Sequence, residues 1–368
     1  MSDVLVLGGG IVALLSALEL TERGASVTIV EGDQPPASWA GGGILSPLYA
    51  WRQSSLLNQL TFDGVDRYRR LVGMLESDGY APPGRLLNLN GMWVQGDEKE
   101  RERALRWASE WGLNCEAQSS DGLSGRMMAK GLEGVFFPGL GNVRNPGLLK
   151  ALRACLLARG VKNHKARISD IRRQGRNVIF LAEDGRQWRA DKTVVGMGAG
   201  TGALLEKLGV QLPLFPAKGE MLLYQLSPGD VSSVLLTEAG YLIPRNDGAV
   251  LVGSTLRKGD ASFYPTVSGR YRLERLAQTL MPELEKARPA YHWAGVRPGS
   301  DRDYPFIGAV PGADGVYVAT GHYRNGLVAA PATAELLAQV LCGVAPSIDP
   351  SGYSLPSSSR SSSSFLRR

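Results

Sequence analysis

The first thirty residues carry the clearest periodic signal in the chain. Val4-Leu5-Val6-Leu7 is a continuous apolar run that ends in Gly8-Gly9-Gly10, and after it an apolar-periodic segment runs from Leu14 to Leu20. This predicts a buried strand, a glycine turn and a helix. Val27-Thr28-Ile29-Val30 supplies a second strand that ends at Glu31. An amphipathic helix is expected over residues 56–74. Beyond it the chain changes to short strand-like runs between turns, at residues 91–94, 134–137, 221–224, 240–243 and 250–253, which read as an antiparallel sheet. Segments of the first kind return among them: a helix over 147–157, strands near 166–168 and 192–195, and a last strand at 315–321. The alternation predicts an α/β domain plus an antiparallel β domain, both discontinuous. The first takes residues 1–83, 143–212 and 296–349, the second 84–142 and 213–295. Residues 350–368 are rich in serine and too polar to pack, so they are expected to be disordered.

Composition narrows the function classes. With 43% hydrophobic and 21% charged residues, the 368-residue chain has ample material for a core. No run of eighteen apolar residues exists to span a membrane, and the first strand begins too early for a leader ahead of it, which predicts a cytoplasmic location. The net charge is +6, but Arg360, Arg367 and Arg368 lie in the last eighteen residues without an acid, so the body is nearly balanced. That argues against a nucleic-acid partner. Cys115, Cys155 and Cys342 are too far apart for a metal or redox pair.

The glycine turn carries chemistry. Gly8 permits the tight turn, Gly10 lets the backbone approach a pyrophosphate, and the free N–H groups of the helix start suit an anion. Glu31 stands where an acid accepts from ribose hydroxyls, and Ala13 replaces a third glycine needed only for close packing. The pattern points to a dinucleotide and does not choose between NAD and FAD. After Glu31 the alternation stops at Ala37-Ser38-Trp39-Ala40-Gly41-Gly42-Gly43-Ile44, a second place where backbone passes close to something flat or crowded. A flavin ring and a plain loop both fit that stretch.

Arg297 ends the run Trp293-Ala294-Gly295-Val296-Arg297, whose alternation puts Trp293, Gly295 and Arg297 on one face, with Gly295 leaving room beside the arginine. A guanidinium can fix the planar carboxylate of an α-amino acid with two parallel bonds. On its own an arginine there also reads as a surface or salt-bridging residue. Farther on, Gly321-His322-Tyr323-Arg324-Asn325-Gly326-Leu327-Val328 reads as a helix that begins near Arg324 or Asn325, its first turn aimed at a ligand.

Together the first strand–turn–helix, "SWAGGGILSP", "NVRNP", "YLIPR", "VGSTL", "HWAGVRPGSDRDYPFIGAVP" and "GHYRNGLVAAPAT" resemble the D-amino-acid-oxidase-like flavoprotein family, and within it the glycine-oxidising branch tied to thiamine synthesis. The resemblance runs to about Asp349. It implies a Rossmann-type FAD-binding domain, made of the α/β segments, with a mainly antiparallel substrate domain, and noncovalent FAD. The implied reaction is oxidative deamination of glycine, sarcosine or short D-amino acids by hydride transfer to flavin N5, with oxygen reduced to hydrogen peroxide. It leaves open a dehydrogenase that passes electrons to another acceptor, and a homotetramer is one candidate assembly. Carried over residue by residue, it gives Gly8, Gly10, Ile11, Val12, Glu31, Gly32, Ala37, Ser38, Gly42, Gly43, Ile44 and Ile168 to the cofactor, together with His322, Tyr323, Arg324, Asn325, Gly326, Leu327 and Val328. Arg297, Arg324 and Tyr241 become the substrate and catalytic residues. No general base is implied: His164, His292 and His322 read as structural, with His322 meeting flavin through its backbone. Two departures stand out. Gly198-Ala199-Gly200-Thr201 lacks the aromatic common there, which suggests looser packing near the flavin, and Ala239 and Leu256 occupy pocket positions that vary among relatives.

Overall fold

The computed structural model describes residues 2–123, 130–175 and 177–356. The opening apolar run forms the strand Asp3–Leu7 near the middle of a six-stranded sheet, with Ser26–Glu31 and Lys162–Lys165 on one side and Lys192–Val195, Val316–Thr320 and Phe306–Ala309 on the other. Every neighbouring pair is parallel except the last, which is a hairpin. Such a strand needs no polar alternation because both faces of a parallel sheet are covered. Helices Ile11–Glu22, Asn145–Ala158 and Ala330–Cys342 cover one face. Helix Thr201–Glu206 and a three-stranded antiparallel sheet, Ile168–Gln174, Asn177–Ala182 and Gln187–Trp188, cover the other.

A second, nine-stranded sheet is built on the twelve-residue strand Leu214–Gln225, which pairs with Ala249–Gly253, Arg257–Lys258 and Tyr291–Ser300. One pair, Val234–Thr237 with Met92–Gln95, is parallel, so the sheet is mixed where sequence suggested antiparallel throughout. Helix Val267–Leu280 buries Leu273, Leu276, Ala277 and Leu280 on one face, and helix Glu98–Glu110 buries Ala104, Trp107 and Ala108 on the other. The expected α/β plus mainly antiparallel fold is what the chain forms. Among the described residues no helix is long and apolar enough to cross a membrane.

Three local expectations change. The amphipathic stretch 56–74 is two helices, Ser55–Thr61 and Gly64–Ser77; the break brings Gly64 against Val328, so closely that a Cβ would lie 2.7 Å from a Val328 methyl. The strand near 166–168 divides: Lys162–Lys165 completes the parallel sheet, and Ile168 opens the three-stranded one. The start of the polar tail is structured, because Pro350–Tyr353 forms a 3-10 turn that buries Tyr353, whose hydroxyl donates to the Leu56 carbonyl at 2.8 Å. Residues 357–368 lie outside the described residues.

Candidate functional site

A cavity of about 640 Å³ opens at the C-terminal ends of the parallel strands and continues to the long strand of the second sheet. Strand ends are where a doubly wound sheet collects turns and helix starts. The first turn is built by close approach. Gly8 has φ +122°, and a side chain there would collide with the Gly196 carbonyl; at Gly9 it would collide with the Glu31 carboxylate. Ala13 packs against Gly196, as expected of a third glycine's replacement. Gly8, Gly10, Ile11, Val12 and Gly32 line the cavity. The Ile11 N–H, expected to be free for an anion, donates to Ser38 Oγ at 3.0 Å and ties the two glycine clusters together.

Glu31 also lines the cavity, but its carboxylate is largely engaged by protein. Arg153 holds both oxygens, Nε to Oε1 at 3.1 Å and Nη2 to Oε2 at 2.7 Å, while Asn163 and Lys165 reach Oε1 at 2.9 and 3.1 Å. Oε2 therefore keeps lone-pair capacity for a hydroxyl, and Oε1 does not. Burial pushes the Glu31 pKa up, but Arg153, Asn163 and Lys165 outweigh it and bring the value down to about 2 from 4.5. A depressed folded-state pKa adds stability above the unfolded value, lost as pH falls from about 4.5 toward about 2. The shift amounts to about 3 kcal/mol. Glu31→Gln is expected to be destabilised by about that much at neutral pH, with the gap from the parent closing across the acid window. Urea midpoints measured along a pH series check this, and a constant gap refutes it.

The second cluster follows a single helical turn, Ala37–Ala40, where a loop was one reading. Ala37, Ser38, Gly42, Gly43 and Ile44 line the cavity. The crowding anticipated at these glycines is with the chain itself: side chains would collide with Ile243 at Gly42 and with the Val143 carbonyl at Gly43, which has φ +82°. Asn145 fixes the turn, its Nδ2 donating to the Ser38 and Gly41 carbonyls at 2.8 and 2.9 Å. Arg245 holds it from behind, donating to Asn142 Oδ1, to the Val143 carbonyl at 2.9 Å and to the Gly42 carbonyl at 3.0 Å. Burial pulls the Arg245 pKa down to about 9, which leaves it charged at neutral pH.

At the other end Arg297, Tyr241 and Arg324 share the wall. The Arg297 side chain donates from Nη2 to Ser254 Oγ at 3.1 Å, while Nη1 is buried with no partner. Burial lowers the Arg297 pKa; the neighbouring Tyr241 raises it and Arg324 lowers it further. Among the described residues no carboxylate pairs with either arginine. Gly295 does not make the space for Arg297, contrary to expectation. It faces Ala40, and Gly219 on the paired strand is the residue whose side chain would strike the guanidinium. That could not be read from local spacing, since the two residues are brought together by strand pairing.

The segment 321–329 is not the start of a helix. Helix Ala330–Cys342 begins later, and the chain first makes irregular turns through Tyr323, held at φ +50° by its N–H bond to the Pro298 carbonyl at 2.9 Å. His322, Tyr323, Arg324, Gly326 and Leu327 line the cavity, but Asn325 and Val328 do not. Both of those are buried, and Val328 packs on Gly64. Ala239 and Leu256 also fall outside the wall, which instead includes Ala261 and Phe263. Around Gly200, a Cβ would find only Met197 at 3.9 Å, so space is present where an aromatic was missed.

Ile168 lines the far end of the cavity. The histidines are held by protein: His322 bonds Thr333 Oγ1 at 3.1 Å and burial lowers its pKa to about 4, His292 bonds Glu220 at 3.0 Å, and His164 lies against Trp188. Beyond Arg297 Nη1, two further polar atoms of wall residues are buried without partners, Thr320 Oγ1 and Asn145 Oδ1. No cluster of metal-ligating side chains occurs among the described residues.

Comparison with known proteins identifies the family. The model of the DAO family, described as FAD dependent oxidoreductase, matches residues 3–340. A glycine oxidase of Pseudomonas aeruginosa is 38% identical over 358 residues, covering 95% of this chain and 97% of that protein, and one of Pseudomonas putida is 37% identical with the same coverage. The crystal structure of glycine oxidase from Geobacillus kaustophilus superposes with a TM-score of 0.89 at 25% identity, over 97% of this chain and 99% of that one. The chain that folds its two glycine clusters around this cavity therefore belongs to the DAO family of FAD-dependent oxidoreductases.

Proposed function

We propose that this enzyme oxidises glycine and small amines such as sarcosine and short D-amino acids, releasing an imine that hydrolyses to a 2-oxo acid and ammonia, or methylamine from sarcosine, with oxygen reduced to hydrogen peroxide. Supply of the glycine-derived imine to thiazole formation in thiamine synthesis belongs to the same reading. The observation that carries it is the buried, unpartnered Nη1 of Arg297 beside Tyr241 and Arg324. A buried cation with an open donor is costly unless an anion completes it, and an amino-acid carboxylate has the matching shape.

The residues present fit FAD. Thr320 Oγ1 and Asn145 Oδ1 are unpartnered polar atoms in the wall, and a helix start and two glycine turns bring backbone to its surface. In this reading Gly8, Gly10, Ile11, Val12, Glu31, Gly32 and Ile168 hold the adenosine diphosphate half. Ala37, Ser38, Gly42, Gly43, Ile44 and the wall residues of 322–327 hold the flavin half. When bound, the flavin supplies a two-electron acceptor. The protein's own work is placement: Arg297 fixes the carboxylate, Tyr241 limits how the substrate lies, and Arg324 adds positive charge at the rim. His322 contributes no proton, since it is neutral at pH 7 and bonded to Thr333. The division into an FAD-binding part (1–83, 143–212, 296–349) and a substrate part (84–142, 213–295) belongs to the same proposal, as does a homo-oligomeric assembly.

The test is anaerobic mixing of the yellow holoenzyme with glycine, sarcosine, D-alanine and D-proline. Bleaching by at least one of them, followed by rapid recolouring and peroxide in air, is the expected result. No bleaching by any sinks the reading. Bleaching with slow recolouring points instead to a dehydrogenase with another electron acceptor.

A further inference from the structure

Four residues past Tyr241, where the strand Gly240–Pro244 ends, Arg245 turns inward and is only 7% exposed. Its three acceptors, the Asn142 amide oxygen and the carbonyls of Val143 and Gly42, are all neutral. Among the described residues no carboxylate lies within ion-pair distance of it. Asp247, two residues on, favours the Arg245 charge from a distance, but it is paired with Arg144, whose own charge opposes Arg245 more strongly. A buried guanidinium with no counter-ion carries a large desolvation cost. Its contacts show where its charge acts.

Val143 and Gly42 flank the left-handed turn at Gly43, whose own carbonyl accepts from the Val143 N–H at 2.9 Å. Arg245 therefore clamps both sides of that turn. A peptide unit is planar and trans, so with the Gly42 oxygen held by Arg245 the Gly43 N–H points the opposite way. Both glycines line the cavity, and Gly42 adjoins the Tyr241 ring at the end that holds Arg297. The result is a polarised peptide in the wall with a full positive charge behind it. Arg245 itself does not reach the cavity.

We propose that Arg245 is a positioning residue that sets the Gly42–Gly43 peptide in the cavity wall and, as a buried cation without a counter-ion, favours the reduced, more negative form of the bound flavin. Fixed charge and oriented dipoles in a poorly solvated site act without reorganising when negative charge arrives. This rests on FAD binding and not on the choice of amine.

The experiment measures the midpoint potential of the holoenzyme by anaerobic equilibration with a reference dye, and the FAD affinity of the apoprotein by fluorescence quenching. Three variants are compared with the parent. Arg245→Met removes the charge and is expected to reduce the preference for reduced over oxidised flavin about tenfold, a fall of about 30 mV for a two-electron couple. Arg245→Lys keeps the charge and stays within about twofold of the parent in that preference. Asn142→Asp leaves an oxygen acceptor in place but sets a carboxylate beside the guanidinium, and it should shift the potential in the same direction as Arg245→Met. If Arg245→Met does not fold, Asn142→Asp decides: a lowered potential supports the proposal. Potentials equal to the parent's in the variants that fold and bind FAD overturn it. No amine turnover enters either measurement, so a failure of the proposed substrate class is separately visible.

Discussion

Arg297→Ala is expected to lower kcat/KM for glycine by roughly a hundred- to a thousandfold, about 3–4 kcal/mol, while leaving FAD affinity within a few fold of the parent. The size follows from what the side chain does. It offers a carboxylate two charge-assisted bonds from a half-buried guanidinium in the cavity wall, and truncation also leaves the bound carboxylate without its charged partner. Much of the loss should appear in KM, because the carboxylate is held in the ground state as well as during reaction. Gly219→Ala supplies the geometric control. It keeps the charge but puts a methyl group where the guanidinium now lies. Activity in that variant should fall between those of the parent and Arg297→Ala. Steady-state kinetics with glycine, alongside flavin titration of the apoproteins, measures both. A loss under about fivefold for Arg297→Ala would remove this arginine from substrate binding.

Local patterns made the two glycine clusters, the acid at the end of the second strand and the arginine that ends the run Trp293-Ala294-Gly295-Val296-Arg297 legible. Each is a short constellation whose residue types answer a local demand, such as a left-handed turn at Gly43 or a buried strand before Gly8. What sequence could not show is who meets whom across long separations. Glu31 reads as a ribose acceptor, yet Arg153 and Asn163, 122 and 132 positions away, use most of its capacity. Gly219 makes room for Arg297 only because two distant strands pair in that register. The helix expected at Arg324 failed for a different reason. Its apolar spacing is genuine, but Val328 and Ala329 are buried in turns that precede the helix, so the periodicity reported burial and not helical backbone. The tail misled in the same way: its serine content hid the aromatic Tyr353, whose burial is enough to anchor the first residues.

The other large effect is predicted away from the reacting centre. Glu220 is fully buried on the long strand Leu214–Gln225, two residues from Lys218, which is 2% exposed. Its carboxylate accepts from the Thr266 N–H at 2.8 Å and the Thr266 hydroxyl at 2.9 Å, and it bonds His292 at 3.0 Å. Lys218 lies 3.9 Å from it and donates to Ser262 Oγ at 2.9 Å, with Asp260 at 3.6 Å. These two buried charges hold both ends of the segment 260–266, and that segment places Ala261 and Phe263 in the cavity wall. Glu220→Ala removes the acceptor of three donors, weakens the compensation of Lys218 and leaves a hole beside Gly269, against which the carboxylate now packs. The expected cost is about 3–5 kcal/mol, the range for breaking a buried charge pair from one side. Glu220→Gln keeps an oxygen for Thr266 and fills the space, so it should lose about half as much. Because the loosened segment is part of the wall, Glu220→Ala should also raise KM for glycine in the protein that remains folded. Urea unfolding of both variants reads the first effect. A loss below about 1 kcal/mol for the alanine variant would mean that Asp260 and water compensate Lys218 well enough for the clamp to be dispensable.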